Sequence, residues 1–336
     1  MSPADSATSS PPPSQAPLLP AAHPGLPGDP VLRRALAAIQ RNREAGFHFP
    51  GNFLHLSFDQ VHRAGSRVSL AVGPHNSGPD GHADSATLGV LADLGIATCI
   101  RAEVVDEVRL ATVNMQLQLF PAPHGTRLEA HSVFEGFVPG VAGRQAVGRV
   151  VIRGSGGELV GLGIGGFMVL DLPAGVRVPP MRAATPGEPA LLPDPQYGLD
   201  PHEQAIYQRA EQVLSARGAG TGSFIRRFWG MTTRKTVAGA SGRLEATPHV
   251  GNRVGHVQGG VLFGFAEETA RAALGAPEAW TPTSISASYL RPGEPPAVRA
   301  EATIVHQGRT TAAVRVRLFN HDKRQVLEAL LAYAAR

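Results

Sequence analysis

Asn252, Gln258, Gly259, Gly260 and Glu267 form the stretch of this 336-residue sequence best equipped for chemistry. A polar loop runs there into an apolar helix. Paired glycines at the helix start leave backbone N–H groups uncovered by any Cβ, so a ligand oxygen can approach them. Glu267 falls within the apolar stripe of Val261, Leu262, Phe265 and Ala266. A carboxylate in such surroundings has a raised pKa and is a candidate acid, base or nucleophile. The bland reading of the same residues is a Gly-capped buried helix with one solvated Glu. Gly259 and Glu267 lie about 12 Å apart along a helix rising 1.5 Å per residue. One substrate carbonyl cannot touch both, so the donors of one helix must work with the acid of another.

The chain supplies a second helix of the same kind. Pro74-His75 recurs as Pro248-His249, an offset of 174. The same offset carries Gly81 to Gly255, His82 to His256, Leu88 to Leu262, Ala92 to Ala266 and Asp93 to Glu267. Asp29-Pro30 recurs as Asp200-Pro201, Pro121 as Pro292, and Gly143-Arg144 as Gly308-Arg309. Self-similarity at a near-constant separation is the mark of duplication. Two acids thereby fall on one helical position.

The elements that must position these groups read alike in both halves. Asp29-Pro30 opens a helix ending near Gly46, and Asp200-Pro201 one ending at Gly218, each with an Asp cap and Pro in the first turn. Strands are expected at 53–61 and 66–72, a helix at 85–100, then strands at 111–119, 127–135, 144–153 and 159–170. The second half gives strands near 224–232 and 241–247, the glycine-led helix, then strands at 283–290, 297–306, 311–319 and 326–333. Residues 1–28 are rich in Pro, Ser and Ala and read as a flexible tail. Residues 171–199 read as a Pro-rich linker, between domains at 29–170 and 200–336.

Composition narrows the function classes. A hydrophobic fraction of 43% is that of a globular protein, and the net charge of +4 is scattered, mostly as Arg. Arginine suits point recognition of phosphates, and no dense basic run suggests a nucleic-acid partner. Cys99 is the single cysteine, so no internal disulfide forms; a reducing, cytoplasmic setting is expected, with Cys99 as core filler. No membrane-spanning run or signal peptide is read. His75, His82, His249 and His256 lack the spacing of a metal site, so no metal is expected.

The order Asn252, Gly259-Gly260, Glu267 resembles the hotdog-fold acyl-CoA thioesterases, nearest in pattern to the phenylacetyl-CoA and 4-hydroxybenzoyl-CoA (PaaI-like) types. Gln258 stands where that family usually has His. The resemblance covers roughly residues 30–170 and 200–336. It implies an α+β fold, a tandem double hotdog, each half a curved antiparallel sheet wrapped around one long central helix. It further implies hydrolysis of an acyl-CoA thioester to free acid and coenzyme A, with no separate cofactor. Pairing of hotdogs in the family also leaves room for a homodimer of such chains.

The resemblance implies sites shared between the halves. Antiparallel central helices would join Asn252, Gly259 and Gly260 to Asp93 in one site, and Gly78, His82 and Ser85 to Glu267 in the other. Gly259 N–H would hold the oxyanion, Asn252 would orient thioester or water, and Asp93 would act as base or nucleophile. Gln258 would support by hydrogen bonding. The second site departs from the pattern: Ser85 and Ala86 replace the glycines, and Asp84 replaces Gln258. It is expected to be weak or inactive. A different packing of the halves would exchange the acids. Thr112 and Thr283 match a family Ser/Thr that helps hold water, or are simply strand formers. Arg309 and Arg144 match a Gly-Arg pair often near the CoA phosphates, or are solvated turns.

Two other readings stand beside this one. A hotdog enoyl-CoA hydratase would carry a His five residues after the acid; Thr98 and Ala272 stand there. A non-catalytic acyl-CoA-binding double hotdog fits the loss of glycines in one half. His48-Phe49-Pro50-Gly51 resembles the catalytic His motif of hotdog acyl-carrier-protein dehydratases, but His62 occupies the place of that family's Glu, and the match is read as chance.

Overall fold

A computed structural model describes residues 27–336 apart from 45–47, 64, 105–107, 121–124, 142, 173, 175–181, 186, 188 and 217–222. Pro121 and residues 1–26 of the expected tail therefore lie outside the described residues.

The first half runs α1 (Pro30–Asn42), α2 (Phe49–Phe53), β1 (Ser57–His62), β2 (Gly65–Ala71), α3 (Ser85–Val104), β3 (Val108–Leu119), β4 (Arg127–Phe137), β5 (Arg144–Gly154) and β6 (Leu159–Asp171). The second repeats it as α4 (Pro201–Ser215), α5 (Phe224–Phe228), β7 (Met231–Thr236), β8 (Gly239–Glu245), α6 (Gly259–Leu274), β9 (Trp280–Tyr289), β10 (Ala297–Gln307), β11 (Thr311–Phe319) and β12 (Gln325–Ala335). The Asp-Pro signals act as read: Asp29 accepts from Val31 N–H, and Asp200 closes a capping box with Glu203.

All the strands join one antiparallel sheet in the order β1-β2-β4-β5-β6-β3-β9-β12-β11-β10-β8-β7. The halves meet at β3 and β9, where Asn114 pairs with Ser288 and Gln118 with Ser284. Strands such as β11 alternate buried and exposed residues, so one face of the sheet covers the core. Helices α3 and α6 occupy that core. They run antiparallel, with Ala86 facing Gly264 and Val90 facing Gly260. A Cβ on Gly260 would lie 2.5 Å from Val90 Cα, so only glycine permits this backbone approach.

Three expectations are corrected. Residues 53 and 224–228 are not strand: His48 and Ser223 cap one-turn helices, accepting from Gly51 N–H at 3.3 Å and Arg226 N–H at 3.5 Å. Local capping overrides the aromatic, β-prone composition there. The 171–199 connection is not wholly detached, since Ala184 and Phe58 exchange backbone hydrogen bonds. Finally, α3 is long and apolar enough to cross a membrane, but 72% of its apolar window is buried within the protein, as in a core helix.

Candidate functional site

The antiparallel crossing brings each acid to the start of the opposite helix. Asp93, 5% exposed on the third turn of α3, faces the first residues of α6. Its Oδ1 accepts from the Thr112 hydroxyl of β3 at 2.8 Å, and its Oδ2 from Gln258 Nε2 at 2.5 Å. Gly260 N–H also donates to it. Gln258 is held in turn by its own Oε1, which accepts from Val261 N–H at 3.0 Å and caps α6. A Cβ on Gly259 would sit 3.0 Å from Thr112 Oγ1 and 3.2 Å from Asp93 Oδ1. Glycine there keeps the acid uncovered. Gly259 N–H has no acceptor among the described residues, as expected at a first helical position.

Burial pushes the Asp93 carboxyl up to about 6, and the Thr112 and Gly260 donors pull the other way. Such a group is an ionised base near neutrality with more proton affinity than an exposed Asp.

A cavity of about 420 Å³ opens beside these groups. Leu94, Leu110, Phe167 and Leu262 give it apolar wall, and Tyr289 donates to Gly259 O at 3.0 Å. Arg101, Arg109, Arg253 and Arg291 line it against the single carboxylate of Asp93. Burial lowers Arg101 and brings Arg253 down to about 10, with Arg101 adding repulsion. Arg109 Nε is buried without a partner among the described residues. This wall is built to receive an anion.

His48 also lines this cavity. Burial, then Arg253, lowers it to about 3, so the ring is neutral. Its Nδ1 accepts from Gly51 N–H, which places the ring proton on Nε2.

The second acid lives differently. Glu267 is fully buried, and its Oε2 accepts from the Ser85 hydroxyl at 2.7 Å and from Arg226 Nη2 at 2.8 Å. Arg226 also binds Asp84 through Nε at 2.6 Å and Glu268 through Nη1. Burial opposes the Arg226 charge, but Asp84 and Glu267 outweigh it and raise its pKa. Glu267 Oε1 has no partner among the described residues. Gly78, His82 and Ser85 line the adjoining cavity of about 880 Å³ with Glu267. It is the larger cavity, yet Arg226, Arg271 and Arg336 face five carboxylates there, those of Asp80, Asp84, Glu267, Glu268 and Glu278.

Asp93, Thr112, Gln258, Gly259 and Gly260 are thus brought together. Asn252 lines the same cavity, and its Oδ1 accepts from Val254 and His256 N–H of its own loop. Thr283 is not brought to Glu267; its hydroxyl donates to Ala332 O at 3.2 Å. Arg309 is exposed in the β10–β11 turn, and the Arg144 guanidinium lies 4.9 Å from the Phe137 ring centroid. Neither lines the Asp93 cavity or the Glu267 cavity. No cluster of three metal-ligating residues occurs among the described residues. Arg226, Tyr289 and the four cavity arginines escaped the sequence reading, and His48, whose motif was read as chance, lines the Asp93 cavity. For Arg226 a signal existed: Phe49-Pro50-Gly51-Asn52-Phe53 and Phe224-Ile225-Arg226-Arg227-Phe228 align Gly51 with Arg226.

The profile described as Thioesterase superfamily matches residues 254–327, which span the start of α6 through β12. That match falls wholly within the second copy. The tandem arrangement extends over most of the chain in solved double-hotdog structures. A candidate thioesterase from Novosphingobium aromaticivorans covers 83% of this chain and 98% of its own, at 15% identity and a TM-score of 0.53. The tesB protein of Mycobacterium avium subs paratuberculosis covers 83% and 95%, at 13% identity and 0.51. The 12:0-ACP thioesterase of Umbellularia californica covers 80% and 94%, at 10% identity and 0.51. At such identities these likenesses establish the double-hotdog fold. No curated protein matches the sequence significantly.

Proposed function

We propose that this double-hotdog protein hydrolyses acyl-CoA thioesters, and does so at the Asp93 site alone. The observation that carries the reading is the meeting of Asp93, Thr112 and Gln258 with the unpartnered Gly259 N–H beside an arginine-lined cavity.

In this reading the thioester carbonyl oxygen accepts from Gly259 N–H, at the positive end of α6. A positioned oxyanion donor lowers the barrier by about 3–4 kcal/mol. Asp93 takes a proton from water while the water oxygen bonds to the carbonyl carbon. The C–S bond then breaks, and the proton passes from Asp93 to the departing thiolate. Thr112 and Gln258 fix the carboxylate and keep it from rotating away. The alternative step, attack by Asp93 itself to give a mixed anhydride, uses the same contacts. The four arginines favour the phosphates of coenzyme A as the anion received.

A panel of acyl-CoAs with detection of free thiol tests the proposal. Turnover by the wild type that Asp93→Asn abolishes supports it. A wild type that binds acyl-CoA and releases no thiol over the whole panel favours the non-catalytic reading.

A further inference from the structure

Helices α2 and α5 are the same device in the two halves. Each is five residues long, begins and ends with Phe, and has its capping residue accept from the third helical N–H. That third residue is Gly51 in the first half and Arg226 in the second. The two short helices correspond at an offset of 175, one residue more than the offset relating the helices they pack against. Arg226 reaches Glu267 and Glu268 of its own half and Asp84 of the other. The counterparts of those three, at an offset of 174, are Asp93, Leu94 and Gln258. A Cβ on Gly51 would lie 3.6 Å from Leu94 Cδ1 and 3.5 Å from His48 Cε1, ordinary contact distances. Gly51 has no positive φ. Position 51 therefore has room for the base of a side chain, directed at the neighbour of Asp93 as Arg226 is directed at the neighbour of Glu267.

We infer that this one helix position decides which acid is available for chemistry: Arg226 locks Glu267 into a structural ion cluster, and Gly51 leaves Asp93 free to meet substrate. Arg226 is a positioning residue, touching the acid and not the reacting atoms. The remaining differences follow from it. With a cation present, Asp84 can replace the amide of Gln258 because its carboxylate is paired with Arg226 Nε. Ser85 in place of Gly259 then adds a donor to a carboxylate that has no reaction to perform. The assignment of chemistry to Asp93 rests on the proposed hydrolysis; the charge argument does not.

The test is made on the full chain. Gly51→Arg is expected to lower kcat at least about 100-fold and to move the acid limb of the pH profile down by about 1–3 units. Gly51→Met, similar in length and uncharged, is expected to keep the limb near its wild-type position. The reverse transplant, Asp84→Gln with Ser85→Gly and Arg226→Gly in an Asp93→Asn background, is expected to restore hydrolysis at least tenfold above that background. A folded Gly51→Arg protein with wild-type rate and pH limb overturns the inference. If Gly51→Arg does not fold, a folded transplant without gain overturns it. If the wild type hydrolyses nothing, the proposed function fails instead. The inference is then judged by ¹³C titration of Asp93, whose midpoint must fall in Gly51→Arg and stay in Gly51→Met.

Discussion

Asp93 and Glu267 occupy the same position of two copies of one fold, yet their surroundings separate them. Asp93 is held by neutral donors, Thr112 and Gln258, and opens on a cavity where cations outnumber acids. Glu267 is held by a guanidinium shared with two further carboxylates, beside a cavity where acids outnumber cations. Duplication supplies two candidate acids, and the charges placed around each differ. The larger hollow surrounds the ion-paired acid, while the smaller one has the raised carboxyl, the uncovered amide and the arginines.

That contrast can be broken experimentally, starting where the effect is largest. Asp93→Asn should lower kcat for acyl-CoA hydrolysis by about 10²–10⁴-fold, the usual contribution of a positioned base, while Glu267→Gln stays within about twofold. Equal losses in steady-state kinetics would erase the distinction. Gly259→Ala should cost about 10–100-fold in kcat, because its Cβ would enter the space between Thr112 and Asp93.

Stability should show the reverse ranking. Arg226→Met leaves the buried carboxylates of Asp84 and Glu267 without their counter-charge and should destabilise by about 3–5 kcal/mol in chemical denaturation. No single cation plays that part beside Asp93.

The pH profile sharpens the comparison further. Asp93 must be ionised to act as base, and its carboxyl titrates at about 6. The rate should therefore fall as pH drops through about 6 and level off above it. The same shift has a stability sign. The folded-state pKa is raised above the ordinary 3.8, so Asp93 favours folding below about 4 and loses that contribution as pH rises to 6. The smallest effect is expected at the turns: Arg309→Ala should leave KM for acyl-CoA within about twofold, whereas Arg109→Ala should raise it by about tenfold.

Much of this was legible in the sequence because it is periodic or repeated. Alternation gave the later strands of each half to within a few residues, and the 174-residue offset matched Asp93 with Glu267 as equivalent positions. The length of a helical turn alone required a partner helix for Gly259. What escaped was set by contacts between distant segments. Arg226 sits in an aromatic run that reads as strand, and only its packing against α3 and α6 shows what it holds. Arg101, Arg109 and Arg253 come from a helix end, a strand start and a loop, and nothing along the chain says that they share a wall. For Asn252 the pattern was legible along the chain, while the use of its side-chain oxygen within its own loop was not.

The most direct measurement is a crystal structure of the full chain with a non-hydrolysable CoA thioether ketone. One analogue per chain is predicted, its carbonyl oxygen within hydrogen-bonding distance of Gly259 N and its phosphates among the arginines of the Asp93 cavity. An analogue seated with its carbonyl beside Ser85 and Glu267, and the Asp93 cavity empty, would contradict the account.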